Sequence, residues 1–440
     1  MGGRGVCRLW RGERREHLRS CYAGEEEHGS VRLPRSAGGK GRREADEANK
    51  PAEVEAIEAF LFSQAEFRHN VITHHCEIRW TEEAGFLPLT DRDVNTLWGR
   101  MNKTVGRVYL TDIYNVIHSE FVPLFNPFQS YFDHLPSWDG VSDPIGDLAD
   151  TVHVKSDQAE FRDYFRKWFV GILPALLDDT VVNHEILVLI GEQGLYKTTW
   201  FNFLLPPELR CYFYTKTNSD RLNKDDLFSL TEFALICFEE LDGMRPAELN
   251  QLKAMVTMPY VNERAAYGRN KERHPHIASF CGTGNNVQFL TDPTGNRRWL
   301  PFEVSQIRDP HLHAIPYELV YSQAYALWKS GFCHWFSQEE IRKLNMHNSR
   351  FEVPNLEEDL IRTHFRKPFE GEAGIFVTAA DILEQISSCL RYPLSPNKIG
   401  RIMAGLEFES IRYKGKRGYI AVKKTGEDID RERRSGALGL

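Results

Sequence analysis

Lys197 and Thr198 stand behind two glycines at the end of an apolar run, and that spacing is where chemistry is first legible. In VNHEILVLIGEQGLYKTTW (Val182–Trp200) the run Ile186–Ile190 stops at Gly191. Gly194, Lys197, Thr198 and Thr199 follow, and Trp200, Phe201, Phe203 and Leu204 resume at helical spacing. Strand, glycine turn and helix together aim backbone N–H groups and a helix N-terminus at a phosphate. Lys197 adds a point charge, and the Thr198 hydroxyl is a ligand for Mg²⁺. The sequence departs from G-x-x-x-x-G-K-[ST] at one position, where Tyr196 replaces the second glycine. A phosphate loop needs close backbone approach there, so the tyrosine must point away or the loop must differ locally.

Such a site needs acids on a neighbouring strand. Ala234–Phe238 is apolar and ends in Glu239-Glu240. At the carboxyl end of a parallel strand one carboxylate can serve the Mg²⁺ shell while the other activates water. Glu239 is assigned to the metal and Glu240 to the water, with exchange of roles open. A third apolar run, Ile277–Cys281, leads into Gly282-Thr283-Gly284-Asn285-Asn286, and Asn285 is the candidate for touching the γ-phosphate or the attacking water. Arg297 and Arg298 follow in DPTGNRRW. They suit an arginine finger supplied in cis or by a neighbouring subunit; a solvated arginine pair is the plain alternative.

The elements that must position these groups follow from periodicity. Residues 1–50 are rich in Arg, Gly, Glu and Ser without period, and read as a disordered leader. Residues 51–150 read as an α-rich collar region. It begins with a helix at Val54, Ile57, Phe60 and Leu61, then two strands, Val71–Thr73 and Glu77–Trp80. A helix capped by Asp91 and another near Thr111–Ser119 follow. The proline- and aromatic-rich stretch Pro123–Pro144 is too apolar for a free linker. From Phe161 to Leu176, apolar residues recur at the spacing of one buried helical face leading into the central strand. Residues 151–345 form the expected nucleotide-binding core, and 346–373 a connection.

Composition excludes more than it assigns. A net charge of −7 gives no global case for nucleic acid, so any such case is local. No apolar run reaches the ~18 residues of a membrane span and no signal peptide is apparent, so the chain reads as cytoplasmic. Cysteines form no CxxC pair, and Cys237 and Cys281 read as reduced core residues. His74-His75-Cys76 is a poor metal site, because adjacent ligands without a second pair rarely close a shell.

GEQGLYKTTW, ICFEELD, and the segment from RAAYGR through GTGNN to NRRWLP, taken in order, resemble the virulence-associated protein E family of phages, plasmids and genomic islands. Its core is similar to superfamily 3 helicases. The resemblance implies an α/β fold with a P-loop, AAA+-type parallel sheet core, an α-rich N-terminal region, and ATP and Mg²⁺ as ligands. It implies Lys197 and Thr198 for phosphate and metal, Glu239 and Glu240 for metal and hydrolysis, Asn285 as sensor, and Arg297 or Arg298 as a finger in trans. It also implies a homo-oligomeric ring on DNA. No primase segment precedes the core, so priming is expected from a separate chain or not at all.

Two regions carry the local case for DNA. In PYVNERAAYGRNKERHPH, Arg264, Tyr267, Arg269 and Lys271 combine charge for phosphates with a π-face for bases, as single strands require. In superfamily 3 helicases, which the core resembles, the corresponding insertion is a hairpin lining the ring pore. Residues 374–423 read as a winged helix for duplex. A helix at Ser395-Pro396 presents Lys398 and Arg401, and a loop 414–418 between two strands carries Lys414, Lys416 and Arg417. Residues 424–440 read as a disordered tail. The expected function is an ATP-dependent DNA helicase, translocase or replication-initiation ATPase of a mobile element. Two rivals stay open: an ATP-driven assembly switch without unwinding, and a DNA-binding protein with a degenerate nucleotide site.

Overall fold

A computed structural model describes residues 52–83, 85–217, 224–263, 272–291, 296–354, 356–369, 371–387 and 395–429. The described residues fall into two compact units. The smaller takes residues 52–65 and 90–121. It comprises helices Val54–Gln64, Asp91–Thr104 and Leu110–Ile117, with Leu61, Leu97, Met101 and Ile113 fully buried. The cap of the middle helix is Thr90 rather than Asp91. Its hydroxyl accepts from the Asp93 N–H while the Asp93 carboxylate accepts from the Thr90 N–H, a reciprocal capping box.

In the larger unit, the first expected strand is displaced. The chain pairs Ala65–Asn70 with His75–Trp80, and Val71–Thr73 forms the turn between them. Asn70 decides this. Its Oδ1 accepts from Ile72 N and Thr73 N, and its Nδ2 donates to Glu77 and to the Tyr212 hydroxyl. A side chain that satisfies the turn's own backbone outweighs the β-branched run after it.

The site is carried by a six-stranded sheet: β1 (Val152–Val154), β2 (Ile186–Ile190), β3 (Phe213–Lys216), β4 (Leu235–Phe238), β5 (Ser279–Gly284) and β6 (Trp299–Ile307), in the spatial order β1-β6-β2-β5-β4-β3. Strands β2 to β6 run parallel and β1 is an antiparallel edge. Every residue of β2, β4 and β5 is buried, which explains their unbroken apolar runs: both faces of the sheet are covered. Helix α1 (Gln158–Leu177) packs Phe161, Phe165, Trp168, Phe169 and Leu173 on the sheet, and Trp168 Nε1 donates to the Phe280 carbonyl. Pro123–Pro144 is ordered, with helices Pro127–Asp133 and Pro144–Ala149 starting within it. From β2 the chain crosses to the far edge at β3, then steps back through β4 and β5 and past β2 to β6, so the connections after the neighbouring strands β2 and β5 leave in opposite directions. The crevice above β2 is therefore a topological switch point, where α/β sheets hold ligands.

Residues 346–373 are more than a connection. They contain helix Leu356–His364 and strand Phe365–Arg366, and Ile361 and Phe365 enter the core of the C-terminal module. That core also buries Ile382, Ile386, Ile399, Met403 and Ala421, from helices Ala379–Ser387 and Pro396–Gly405 and strand Lys416–Lys423. The five-residue loop expected at 414–418 is a two-residue turn, because Tyr413 pairs directly with Lys416. Lys414 and Gly415 both have positive φ, the twist that a two-residue hairpin demands. No helix among the described residues is long and apolar enough to cross a membrane.

Candidate functional site

The carboxyl ends of β2, β4 and β5 open onto a cleft of about 360 Å³. It is lined by Gly194, Tyr196, Lys197, Thr198 and Thr199 from the glycine turn and helix α2 (Lys197–Leu204), by Glu239 and Glu240, and by Asn285. Gly191, the first turn residue, donates its N–H to the Gly284 carbonyl and so ties β2 to β5 at the cleft floor.

Lys197 is buried, and its ammonium donates to the carbonyls of Gly191 and Glu192 at 2.6 and 2.7 Å, with Asn285 Oδ1 at 3.5 Å. Burial lowers its pKa, partly offset by the nearby Asp242 carboxylate. The Thr198 hydroxyl donates to Glu239 Oε1 at 2.9 Å. Glu239 is fixed there because its N–H donates to the Lys216 carbonyl of β3, continuing the sheet for one residue.

Tyr196 answers the defect in the glycine pattern. Its φ and ψ are 60° and 18°, the left-handed conformation that glycine would adopt without strain, and its side chain is 42% exposed. The ring is thus substantially exposed at the cleft, and the conformation costs about 1–2 kcal/mol. Glu240 is also left-handed, with φ of 54°. Two of the five non-glycine residues with positive φ among those described line this one cleft, a concentration typical of functional sites.

One residue of the site was not legible. Asp242 accepts from Asn285 N at 3.2 Å and from Asn286 N and Nδ2 at 3.0 and 2.8 Å, pinning the turn that carries Asn285. Close packing makes this reach possible. A Cβ on Gly282 would stand 2.1 Å from Leu241, and one on Gly284 3.1 Å from Asp242. The only sequence signal was a third acid just past the Glu pair.

Arg297 and Arg298 lie at the other end of the sheet. They form a 3-10 turn ahead of β6, whose first residue, Trp299, pairs with Ile186 at the start of β2. The glycine turn leaves β2 four residues later, roughly 13 Å along the strand. Both arginines therefore stand about one strand length from the cleft of their own chain. Arg297 is exposed, while Arg298 is half-buried, its pKa lowered by desolvation and by Arg297.

The basic insertion begins and ends as a paired hairpin, Tyr260–Glu263 with Glu272–Pro275, and Arg273 lies 3.7 Å over the Tyr260 ring. Arg264, Tyr267, Arg269 and Lys271 themselves lie outside the described residues. In the C-terminal module Arg401, Lys414, Lys416 and Arg417 are exposed. Lys398 is ion-paired through its ammonium with Glu357 of helix Leu356–His364, which offsets part of its charge within the chain. Among the described residues no group of three metal-ligating side chains converges, at His74-His75-Cys76 or elsewhere.

The parallel sheet, its switch-point cleft and the lysine at a helix mouth define an α/β protein with an open cleft at the carboxyl ends of its strands. A model of the virulence-associated protein E-like domain matches residues 133–353, and the chain belongs to that family. Among solved structures, an apo structure of the C-terminal region of NrS-1 is similar at 12% identity and a TM-score of 0.45, covering 84% of this chain and 99% of that one. A second apo form of that region matches at 13% identity, with a TM-score of 0.43 and the same coverage. No curated protein matches.

Proposed function

We propose that this chain is an ATP-dependent DNA helicase, translocase or replication-initiation ATPase of a mobile element, working as a homo-oligomeric ring. The observation that carries the reading is the convergence of Lys197, Thr198, Glu239, Glu240 and Asn285, from three separate segments, on one cleft at the switch point of the sheet.

In this reading the glycine turn is a P-loop and Lys197 exchanges its two carbonyl partners for the β- and γ-phosphates of ATP. Thr198 and Glu239 offer two hard oxygen ligands 2.9 Å apart, a pair that fits Mg²⁺. A Mg²⁺ held by these two residues would supply charge to offset that of the phosphate oxygens. Glu240, at the cleft wall, accepts the proton as water attacks the γ-phosphorus and the β–γ bridging oxygen leaves with ADP. Asn285 orients that water, and Asp242 holds Asn285 in place. A neighbouring subunit supplies Arg297 or Arg298. The basic insertion grips single strands, and the C-terminal module acts as a DNA-binding winged helix.

Phosphate release, measured with and without single-stranded DNA, tests the core of this reading. Lys197→Ala is expected to lower turnover at least about 100-fold, since it removes the charge that meets the transferred phosphoryl group. Unchanged turnover in the folded variant would reject it. Turnover that DNA fails to stimulate would point to an assembly switch instead.

A further inference from the structure

The hairpin of the C-terminal module has two chemically different faces. Arg412 stands directly opposite Arg417, and Tyr413 opposite Lys416. Directly opposed residues share a face of a sheet, and successive residues alternate between faces. Tyr419, opposite Ser410, is buried, and its hydroxyl donates to the Gly400 carbonyl of helix Pro396–Gly405. Arg412 and Arg417 therefore stand on the helix side, two residues further out, and both are exposed. Arg417 Nε donates to Ser410 Oγ, and among the described residues neither arginine is paired with a carboxylate. Like charges set directly opposite each other destabilise a hairpin on their own, so the arrangement suits a polyanion lying across both.

The other face is aromatic. Tyr413 is 52% exposed, with its ring centroid 5.5 Å from that of Phe376 on the adjoining strand Ile375–Val377. Gly418 makes room for this contact, since a Cβ there would stand 2.5 Å from the Phe376 ring. Lys414 Nζ lies 5.3 Å from the Tyr413 ring, with Lys416 opposite. An exposed ring edged by lysines fits an unpaired base and its phosphate. The helix that would ordinarily read a groove offers less: Arg401 is exposed, but Lys398 is tied to Glu357.

We propose that this hairpin grips a junction in DNA, with the Arg412–Arg417 face on the phosphates of the duplex and Tyr413 stacked on the first unpaired base. The proposal deepens the DNA-binding reading above and rests on it.

Fluorescence anisotropy of the full chain on a fork, a blunt duplex and a single strand, over a salt series, tests it. The wild-type chain should bind the fork most tightly. Tyr413→Ala should weaken fork binding by roughly fivefold to a hundredfold, the range of one lost base stack, and leave blunt duplex unchanged. Tyr413→Phe should behave as wild type. Replacing both Arg412 and Arg417 by alanine should weaken fork and duplex alike and lower the salt slope by about two. Equal wild-type affinity for fork and blunt duplex would overturn the proposal, as would equal losses on both in Tyr413→Ala. An absence of binding to any DNA would remove the underlying reading as well. These positions are outside the nucleotide cleft, so basal ATP turnover reports separately on that site.

Discussion

The two ends of the parallel sheet are built for opposite purposes. At the carboxyl ends of β2, β4 and β5 the chain accepts strained backbone at Tyr196 and Glu240 and leaves charged side chains around an open cleft. At the amino ends, desolvation shifts ionisable groups toward their neutral forms. Burial pushes Glu185, just before β2, up to about 7, and pushes His276, just ahead of β5, down to about 4. His276 donates through Nδ1 to the Met258 carbonyl, and its Nε2 finds no partner among the described residues. Arg297 nevertheless stands exposed at this dry end, about one strand length from the cleft of its own chain. One subunit has Lys197, Thr198 and the Glu239-Glu240 pair at one end and an exposed arginine at the other. In the reading proposed above, a neighbour that brings the second end to the first completes the site.

The largest expected effect tests that relation directly. Arg297→Ala should lower ATP turnover on the order of 10³-fold, as loss of a finger does. Mixing it with Lys197→Ala should restore part of the activity, because a mixed pair retains one intact composite site. Arg298→Ala, half-buried and near Glu185, should lose more stability and less turnover. No recovery on mixing, with a monomer in light scattering under ATP and DNA, would break the comparison.

Next in size is the pH response of the dry end. His276 has a folded pKa below its ordinary value, so its stabilising contribution is present above about 6.5 and is lost as pH falls toward about 4. The loss is at most about 3 kcal/mol. Glu185 has a folded pKa above its ordinary 4.5, so its contribution is present below about 4.5 and is lost as pH rises through about 7. The two windows overlap with opposite signs and offset each other. His276→Gln should therefore make stability climb as pH falls from 6.5 to 4.5 relative to wild type, and Glu185→Gln should make it drop. Denaturant melts at both pH values decide it; parallel curves for all three proteins would show that neither group is held neutral.

Asp242 sharpens the cleft end. Asp242→Ala releases the turn bearing Asn285, and kcat should fall about tenfold, on the scale of one lost charged hydrogen bond. Nucleotide affinity should change little, since Lys197 and Thr198 remain. A fall in affinity with kcat intact would instead place Asp242 in binding. The smallest effect belongs to Tyr196→Gly. Relief of left-handed strain and the entropy cost of glycine nearly cancel, giving a gain of no more than about 1 kcal/mol with turnover retained. A clear loss of thermal stability would mean that the exposed ring has a structural role.

Much of the fold was legible because it rests on local patterns. The apolar runs of β2, β4 and β5 and the face of α1 follow from periodicity and burial on both sides of a sheet. The cap at Ser395-Pro396 follows from side-chain chemistry one turn long. Where a local rule had a local competitor, the sequence misled: Asn70 turned the chain where a β-branched run suggested strand, and Thr90 displaced Asp91 as cap.

By itself, then, the sequence determined which side chains could meet phosphate and metal, because lysine, threonine and paired acids at strand ends owe their chemistry to residue type and short-range spacing. Only tertiary structure decided what they meet. Asp242 holds Asn285 through contacts 43 residues apart, Lys398 is ion-paired with Glu357 from another helix, and strand register sends Arg297 away from its own cleft. Each of these depends on distances between segments far apart in the chain, which packing of the whole core sets and local spacing does not encode.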